Sequence, residues 1–287
     1  PDQQWEMQDK YPGVFGEFVW TGFDYLGEPT PYGGDLTGLR PGTRRYEQAK
    51  ALLDMQNVTE VPSRSSYFGI IDIAGFKKDR FFLYQSKWRP DLPMAHILPH
   101  WNWPERKGQV TPVHVYTSGD EAELFLNGRS LGKKKKGQFE YRLRWDDVVY
   151  QSGELKVVAY KNGEKWAEEK VLTTGKASRL SASADRPAIT ADGTDLVFIT
   201  VRIEDKNGAL VPRSSNLVNF SIQGPGKIVA VDNGDATSHD PFQASQRKAY
   251  NGLCLVIVKA EKGATGSFTV KADSKGLKGA AATVGLK

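Results

Sequence analysis

Glu154-Leu155-Lys156-Val157-Val158-Ala159-Tyr160, followed by Lys161-Asn162-Gly163-Glu164 and by Trp166 to Leu172, reads as two strands joined by a tight turn. Asn-Gly supplies the two left-handed residues that a two-residue hairpin needs. Working toward the N-terminus, Val113-His114-Val115-Tyr116-Thr117 precedes Ala122-Glu123-Leu124-Phe125-Leu126, a second Asn-Gly turn at 127–128, and an apolar-rich run from Phe139 to Trp145. Strands at such short, regular spacing predict an immunoglobulin-like β-sandwich over residues 96–175. Working toward the C-terminus, Gly175-Lys176-Ala177-Ser178 reads as a linker. A second sandwich is expected over residues 176–287, carried by Leu196 to Val201 alternating into Arg202-Ile203-Glu204, a turn at Asp205-Lys206-Asn207-Gly208, and last strands at Ser267 to Ala272 and Ala280 to Val284.

The first ninety-odd residues follow a different grammar. Gln3 to Tyr11 reads as a short helix closed by Pro12-Gly13. Glu17-Phe18-Val19-Trp20 reads as a buried strand broken by Gly22. Tyr46 to Gln56 and Lys77 to Trp88 read as helices, the second with Phe81, Tyr84 and Trp88 on one face. Helix, strand, long loop and helix form an α/β unit. One strand cannot close a parallel sheet, so residues 1–95 are expected to need strands from elsewhere. All seven tryptophans lie at or before Trp166, which also sets the last sandwich apart.

Composition narrows the function classes. The chain has 287 residues, room for two or three domains, and a net charge of +5. It holds no apolar run long enough to span a bilayer, and Pro1 opens into polar sequence with no basic region before an apolar core, so no signal peptide is expected within the residues given. Lys133 to Lys136 is the densest basic run. It reads as a solvated hairpin end, since a nucleic-acid surface needs a broader stripe interleaved with stacking aromatics. Cys254 is the one cysteine; within its apolar run it reads as a buried thiol, and no intrachain disulfide can form. His96, His100, His114 and His239 lack metal-ligand spacing. Asp232-Asn233-Gly234-Asp235 lacks the alternating oxygen ligands and distal glutamate of a calcium loop and reads as a turn. Trp101 and Trp103 read as packing residues on one strand face.

The stretch richest in chemistry is Phe18-Val19-Trp20-Thr21-Gly22-Phe23-Asp24-Tyr25-Leu26-Gly27-Glu28-Pro29-Thr30-Pro31-Tyr32-Gly33-Gly34-Asp35. A strand delivers a tryptophan at its C-terminal end, followed by aromatics, carboxylates and tight turns. In a (β/α)₈ barrel that end is the active-site face, where an indole can stack on the C–H face of a sugar. Residue type alone leaves two readings open: a sugar platform, or core aromatics (Trp20, Phe23, Tyr25) beneath a loop, with the second the weightier.

This stretch resembles the eighth barrel strand and following loop of glycoside hydrolase family 2, especially its β-galactosidases. Ser65 to Asp72 with Gly75 to Arg80 is similar to the entry into that family's last barrel helix. His100-Trp101-Asn102-Trp103-Pro104 through Glu123 to Gly128 resembles the sandwich that follows the barrel. Val231 to Asp235 with Tyr250-Asn251-Gly252 resembles the C-terminal immunoglobulin-like domain of a multidomain branch. The resemblance implies a mixed fold: residues 1–95 as the C-terminal end of a TIM barrel, with residues 36–64 a loop insertion, then sandwiches over 96–175 and 176–287.

The resemblance also implies the chemistry. Trp20 matches the tryptophan that floors the sugar subsite, and Asp24 matches a polar loop residue that bonds a sugar hydroxyl or another loop. The family's two catalytic glutamates lie on its fourth and seventh strands, so both are expected upstream of Pro1 and none within this chain. Glu17, inside a strand, and Glu28, in a Gly-Glu-Pro turn, are not their equivalents. Residues 1–287 alone are therefore expected to be inactive. The expected partners are a terminal β-galactoside or related glycan and the missing N-terminal part of the same enzyme, with no nucleic acid and no membrane. No organic cofactor and no metal ligand set is implied, although ions assist some family members. A periplasmic or secreted location is expected over a cytoplasmic one. The competing class is a non-enzymatic carbohydrate-binding or adhesion protein of tandem sandwiches, in which Trp20 at a strand end has no evident use.

Overall fold

The computed structural model of the chain describes residues 1–28, 36, 39–55 and 64–287, with 52–55 described for the backbone alone. Among the described residues three α-helices, α1 (Asp2–Lys10), α2 (Arg44–Met55) and α3 (Asp79–Trp88), accompany a structure that is otherwise mostly β-sheet. Two compact units are present, residues 1–20 with 77–174 and residues 21–76 with 175–287. Residues 1–95 are thus shared between them.

The first unit is built on β1 (Ala95–Leu98), β2 (Val113–Thr117), β3 (Glu121–Leu126), β4 (Arg129–Lys135), β5 (Leu143–Trp145), β6 (Glu154–Lys161) and β7 (Glu164–Leu172). They form a sheet ordered β1-β2-β5 and a sheet ordered β4-β3-β6-β7. The period-two alternation of strands turns Ala122, Leu124 and Leu126 of β3 and Leu155, Val157 and Ala159 of β6 inward. There they meet Val113, Val115, Trp101, Trp145 and Tyr150 in one core. Asn162 (φ 53°) and Gly163 (φ 84°) make the left-handed turn of the β6–β7 hairpin. Helix α1 docks through Trp5, which is 1% exposed and set edge-on to Tyr84 and Tyr141 at 5.1 and 5.2 Å. Asp9 accepts from Lys87 Nζ at 2.8 Å and from the Tyr141 hydroxyl at 2.6 Å. These bonds hold its carboxyl below the usual range.

His96 on β1 ties three elements of this unit together. Its Nε2 lies 2.8 Å from Asp79 Oδ1 at the start of α3, and its Nδ1 lies 3.6 Å from Glu169 on β7. Its ring stacks on Phe82 at 3.9 Å. Burial alone would lower its pKa, but the two carboxylates outweigh burial and raise it to about 9.

The second unit holds β8 (Arg179–Ala184), β9 (Ala188–Ile189), β10 (Leu196–Glu204), β11 (Leu217–Gln223), β12 (Gly226–Asp232), β13 (Gln246–Lys248), β14 (Leu253–Ala260), β15 (Ser267–Asp273) and β16 (Ala280–Leu286). Its sheets run β12-β14-β10-β8 and β13-β11-β15-β16-β9. Val197, Ile199, Val201 and Ile203 of β10 pack with Val256, Val258 and Phe268 in one hydrophobic core. Cys254 is fully buried there, and desolvation pushes its thiol up to about 12, which keeps it protonated and inert.

Several expectations need correction. Glu17 to Trp20 forms neither a strand nor a buried element: Phe18 is fully exposed and Trp20 is 71% exposed. Among the described residues no ladder or bridge involves this segment, and without such pairing its backbone is not organised as sheet. The run from Phe139 is strand only over Leu143–Trp145. Lys133 to Lys135 belong to β4, the return arm of the Asn127-Gly128 hairpin, where they are exposed. Lys136 instead turns its Nζ onto the Thr117 carbonyl, and burial lowers its pKa to about 8. Trp101 and Trp103 lie outside any strand: Trp101 is buried in the core, whereas Trp103 is partly buried and stacks on His100 at 4.4 Å. Gln56, the last residue of the predicted second helix, and residues 29–35 of the aromatic stretch lie outside the described residues.

Candidate functional site

The two candidate substrate-binding residues meet different surroundings. Trp20 presents a largely exposed indole, whereas Asp24 is 5% exposed. Asp24 is held by the segment that follows the loop insertion. Its Oδ1 accepts the Gly69 N–H at 2.8 Å and its own N–H donates to the Ile71 carbonyl at 2.9 Å. Around it, Ile70 and Ile71 donate to the carbonyls of Thr21 and Gly22, and Ser66 and Tyr25 exchange a pair of bonds at 2.9 and 3.0 Å. Phe23 and Ile71 form a parallel bridge, Leu26 and Ser65 an antiparallel one. This approach requires a glycine at 69, where a Cβ would stand 2.3 Å from Asp24 N.

Segment 64–76 is in turn moored to the C-terminal sandwich. The N–H groups of Arg64 and Ser65 both donate to the Ala236 carbonyl, at 2.7 and 3.3 Å. Asp72 Oδ1 closes a turn by accepting the Ala74 and Phe76 N–H groups at 3.0 and 2.9 Å. Its other oxygen faces Gly234, where φ is +76° and a Cβ would lie 2.1 Å from it. The Asp232–Asp235 turn thus works as a bearing surface for Asp72. Asp232 spends Oδ1 on the Asn233 N–H and on Arg247 Nη2, at 2.7 and 3.1 Å. Sequence reasoning read residues 232–235 as a turn but did not find Gly69, Asp72, Arg64 or Arg247. The available signals were Asp72-Ile73-Ala74-Gly75, an Asx-type turn, and the glycine at 234.

Beside this segment a cavity of about 480 Å³ opens between Phe23, Phe76, Phe198, Ser183, Thr200 and Asp185. The carboxylate that lines it, Asp185, accepts the Phe198 N–H at 2.9 Å. Asp24 is bonded to Gly69, and Glu28 accepts from the Tyr25 hydroxyl. Among the described residues no group of three or more His, Cys, Asp or Glu side chains is placed to hold a metal ion. No described helix is long and apolar enough to cross a membrane.

Residues 180–283, almost the whole C-terminal sandwich, match the family described as glycoside hydrolase family 2 C-terminal domain 5. Residues 108–167 match a domain of unknown function, DUF4982. The chain is 41% identical over 92% of its length to the β-galactosidase BoGH2A of Bacteroides ovatus, spanning 28% of that protein. The chain belongs to glycoside hydrolase family 2. Solved structures with the same fold include a β-glycosidase from Bacteroides vulgatus (TM-score 0.83, 31% identity, 99% of this chain and 32% of that one). A family 2 member from Bacteroides cellulosilyticus is similar to the same degree (TM-score 0.82, 30% identity, 99% of this chain and 37% of that one). A β-glucuronidase of Formosa agariphila is more distant, at 26% identity over 79% of this chain and 22% of its own length. This family 2 chain therefore spans between a fifth and two fifths of these relatives.

Proposed function

We propose that this chain is the C-terminal part of a retaining β-glycosidase that hydrolyses terminal β-galactosides or a related β-glycoside. The observation that carries the reading is the 41% identity to a β-galactosidase over 92% of the chain, together with the family 2 match across the last sandwich. Retaining hydrolysis needs one carboxylic acid to protonate the leaving oxygen and a second carboxylate to attack the anomeric carbon, about 5–5.5 Å away. On this reading both are glutamates of earlier barrel strands, outside residues 1–287.

Residues 1–95 then supply the end of that barrel, and Glu17 to Trp20 becomes its eighth strand once neighbouring strands pair with it. The exposure of Phe15 and Phe18, both fully open, supports this, because such side chains belong under cover. The greater length of the relatives supports it too. Trp20 floors the sugar subsite with its indole face, and Asp24 keeps the adjoining loop in place or bonds a hydroxyl. No organic cofactor takes part.

The test is an assay of the longer gene product beside residues 1–287, on aryl β-galactosides and aryl β-glucuronides. The longer product is expected to hydrolyse one of them with retention at the anomeric carbon, and the 287-residue chain neither. A folded longer product inactive on all aryl β-glycosides would overturn the reading. Turnover that follows residues 1–287 through purification would overturn the placement of the carboxylates upstream.

A further inference from the structure

We propose that Arg247 is a positioning residue for the glycosidase site, acting with Arg64 through a clasp closed on the Asp240-Pro241-Phe242 loop. The inference rests on the reading above for its link to catalysis, but its mechanical part stands on geometry alone. Arg247 lies on β13 and is 1% exposed, one of the largest fully buried side chains of the molecule. Its Nη2 reaches Asp232 Oδ1 at 3.1 Å and Asn233 Oδ1 at 3.3 Å, and its Nη1 donates to the Asp240 carbonyl at 2.9 Å. Arg64 Nη1 donates to the same carbonyl at 2.6 Å. Both guanidinium groups also flank one ring: Arg64 lies 4.0 Å and Arg247 5.8 Å from the centroid of Phe242.

The consequence follows bond by bond. A buried guanidinium fixes the loop because its planar fork bonds several oxygens at set angles. The loop fixes Arg64, whose backbone, with that of Ser65, is also bonded to Ala236. Segment 64–72 then holds Asp24 and Tyr25 through Ser66, Gly69 and Ile71. The C-terminal sandwich thereby sets the position of a loop that carries a candidate substrate contact. An isolated decorative domain would have no need of such a clasp.

Two variants test this without stripping the buried Asp232 of a positive partner. Arg247→Lys keeps the charge and loses the fork, and Arg64→Ala removes the opposite arm of the clasp. In the 287-residue chain, amide exchange at Gly69, Ile71 and Asp24 is expected to quicken on the order of tenfold in each variant, with Val258 and Val270 unchanged. The double variant should be little worse than either single one, because both act through one loop. In the longer gene product, KM for the aryl glycoside is expected to rise on the order of tenfold while kcat per folded molecule stays within about twofold. A merely structural role would lower the active fraction and leave KM alone. Unchanged exchange in Arg64→Ala, or quickened exchange with unchanged KM in an active enzyme, would overturn the proposal. If the wild-type longer product hydrolyses no glycoside, the glycosidase reading falls separately, and exchange alone then upholds or overturns the clasp.

Discussion

Strand β10 and the segment from Tyr11 to Trp20 are similar kinds of sequence with opposite fates. In β10, Val197, Ile199, Val201 and Ile203 are at most 1% exposed, packed between two sheets and paired on both edges, with β14 and β8. In the N-terminal segment, Phe15 and Phe18 are fully exposed and Trp20 is 71% exposed. Apolar content therefore does not make a strand. A strand needs neighbours for its N–H and C=O groups and a second layer for its apolar face. The two sandwiches carry both, and among the described residues no strand pairs with the segment from Tyr11 to Trp20.

The largest test of this contrast is a matched pair of truncations. Phe268 is 1% exposed, so Phe268→Ala is expected to destabilise the second unit by about 3–5 kcal/mol. Phe18→Ala, which removes the same ring from open solvent, should change the denaturation midpoint of the 287-residue chain by less than about 0.5 kcal/mol. Comparable losses in both would mean that Phe18 is covered within this chain and that the contrast is false.

A second test uses pH to single out the first unit. The imidazole of His96 has a reference pKa of 6.5 and is raised to about 9 in the fold. A raised folded pKa stabilises fully below the unfolded value and loses that stabilisation as pH climbs through the folded one. Stability of the first unit should thus decline between pH 6.5 and 9, by an amount on the order of 3 kcal/mol. Urea melts across that window check it. His96→Gln should flatten the slope, and an unchanged slope would remove the Asp79–His96–Glu169 tie from the account.

What could be read from sequence was what is local. The β6–β7 hairpin was legible because Asn162-Gly163 states its turn outright and the apolar positions beside it alternate. β10, β15 and β16 were legible as well, from apolar runs of strand length. β9, with two residues, and β13, with three, were not, since strands so short exist only by virtue of the partner that pairs with them. β4 was hidden by its lysines, which are what an exposed edge strand carries against unwanted pairing. At the candidate site, Trp20 and Asp24 could be singled out, but not that one is exposed and the other buried, because burial depends on chain far away in sequence. Arg64 and Arg247 carry no motif at all. They become partners only where the fold brings both to the carbonyl of Asp240.

A smaller effect is expected at the surface of the hairpin that first declared the fold. Gly163 sits at φ 84° in open space, so Gly163→Ala meets no clash and bears only the left-handed backbone penalty. The cost should be about 1 kcal/mol, read as a shift in the melting of the first unit. A loss several times larger would mean that the turn is packed against another part of the chain.

The proposed function rests most directly on Trp20 as the floor of a sugar subsite. Trp20→Ala in the longer gene product, with kcat/KM on an aryl β-galactoside or β-glucuronide measured beside the melting temperature, addresses it most directly. A fall in kcat/KM on the order of a hundredfold, with the melting temperature essentially unchanged, is the expected result. A variant that melts much earlier, yet turns over normally in its folded fraction, would contradict it and make Trp20 a packing residue.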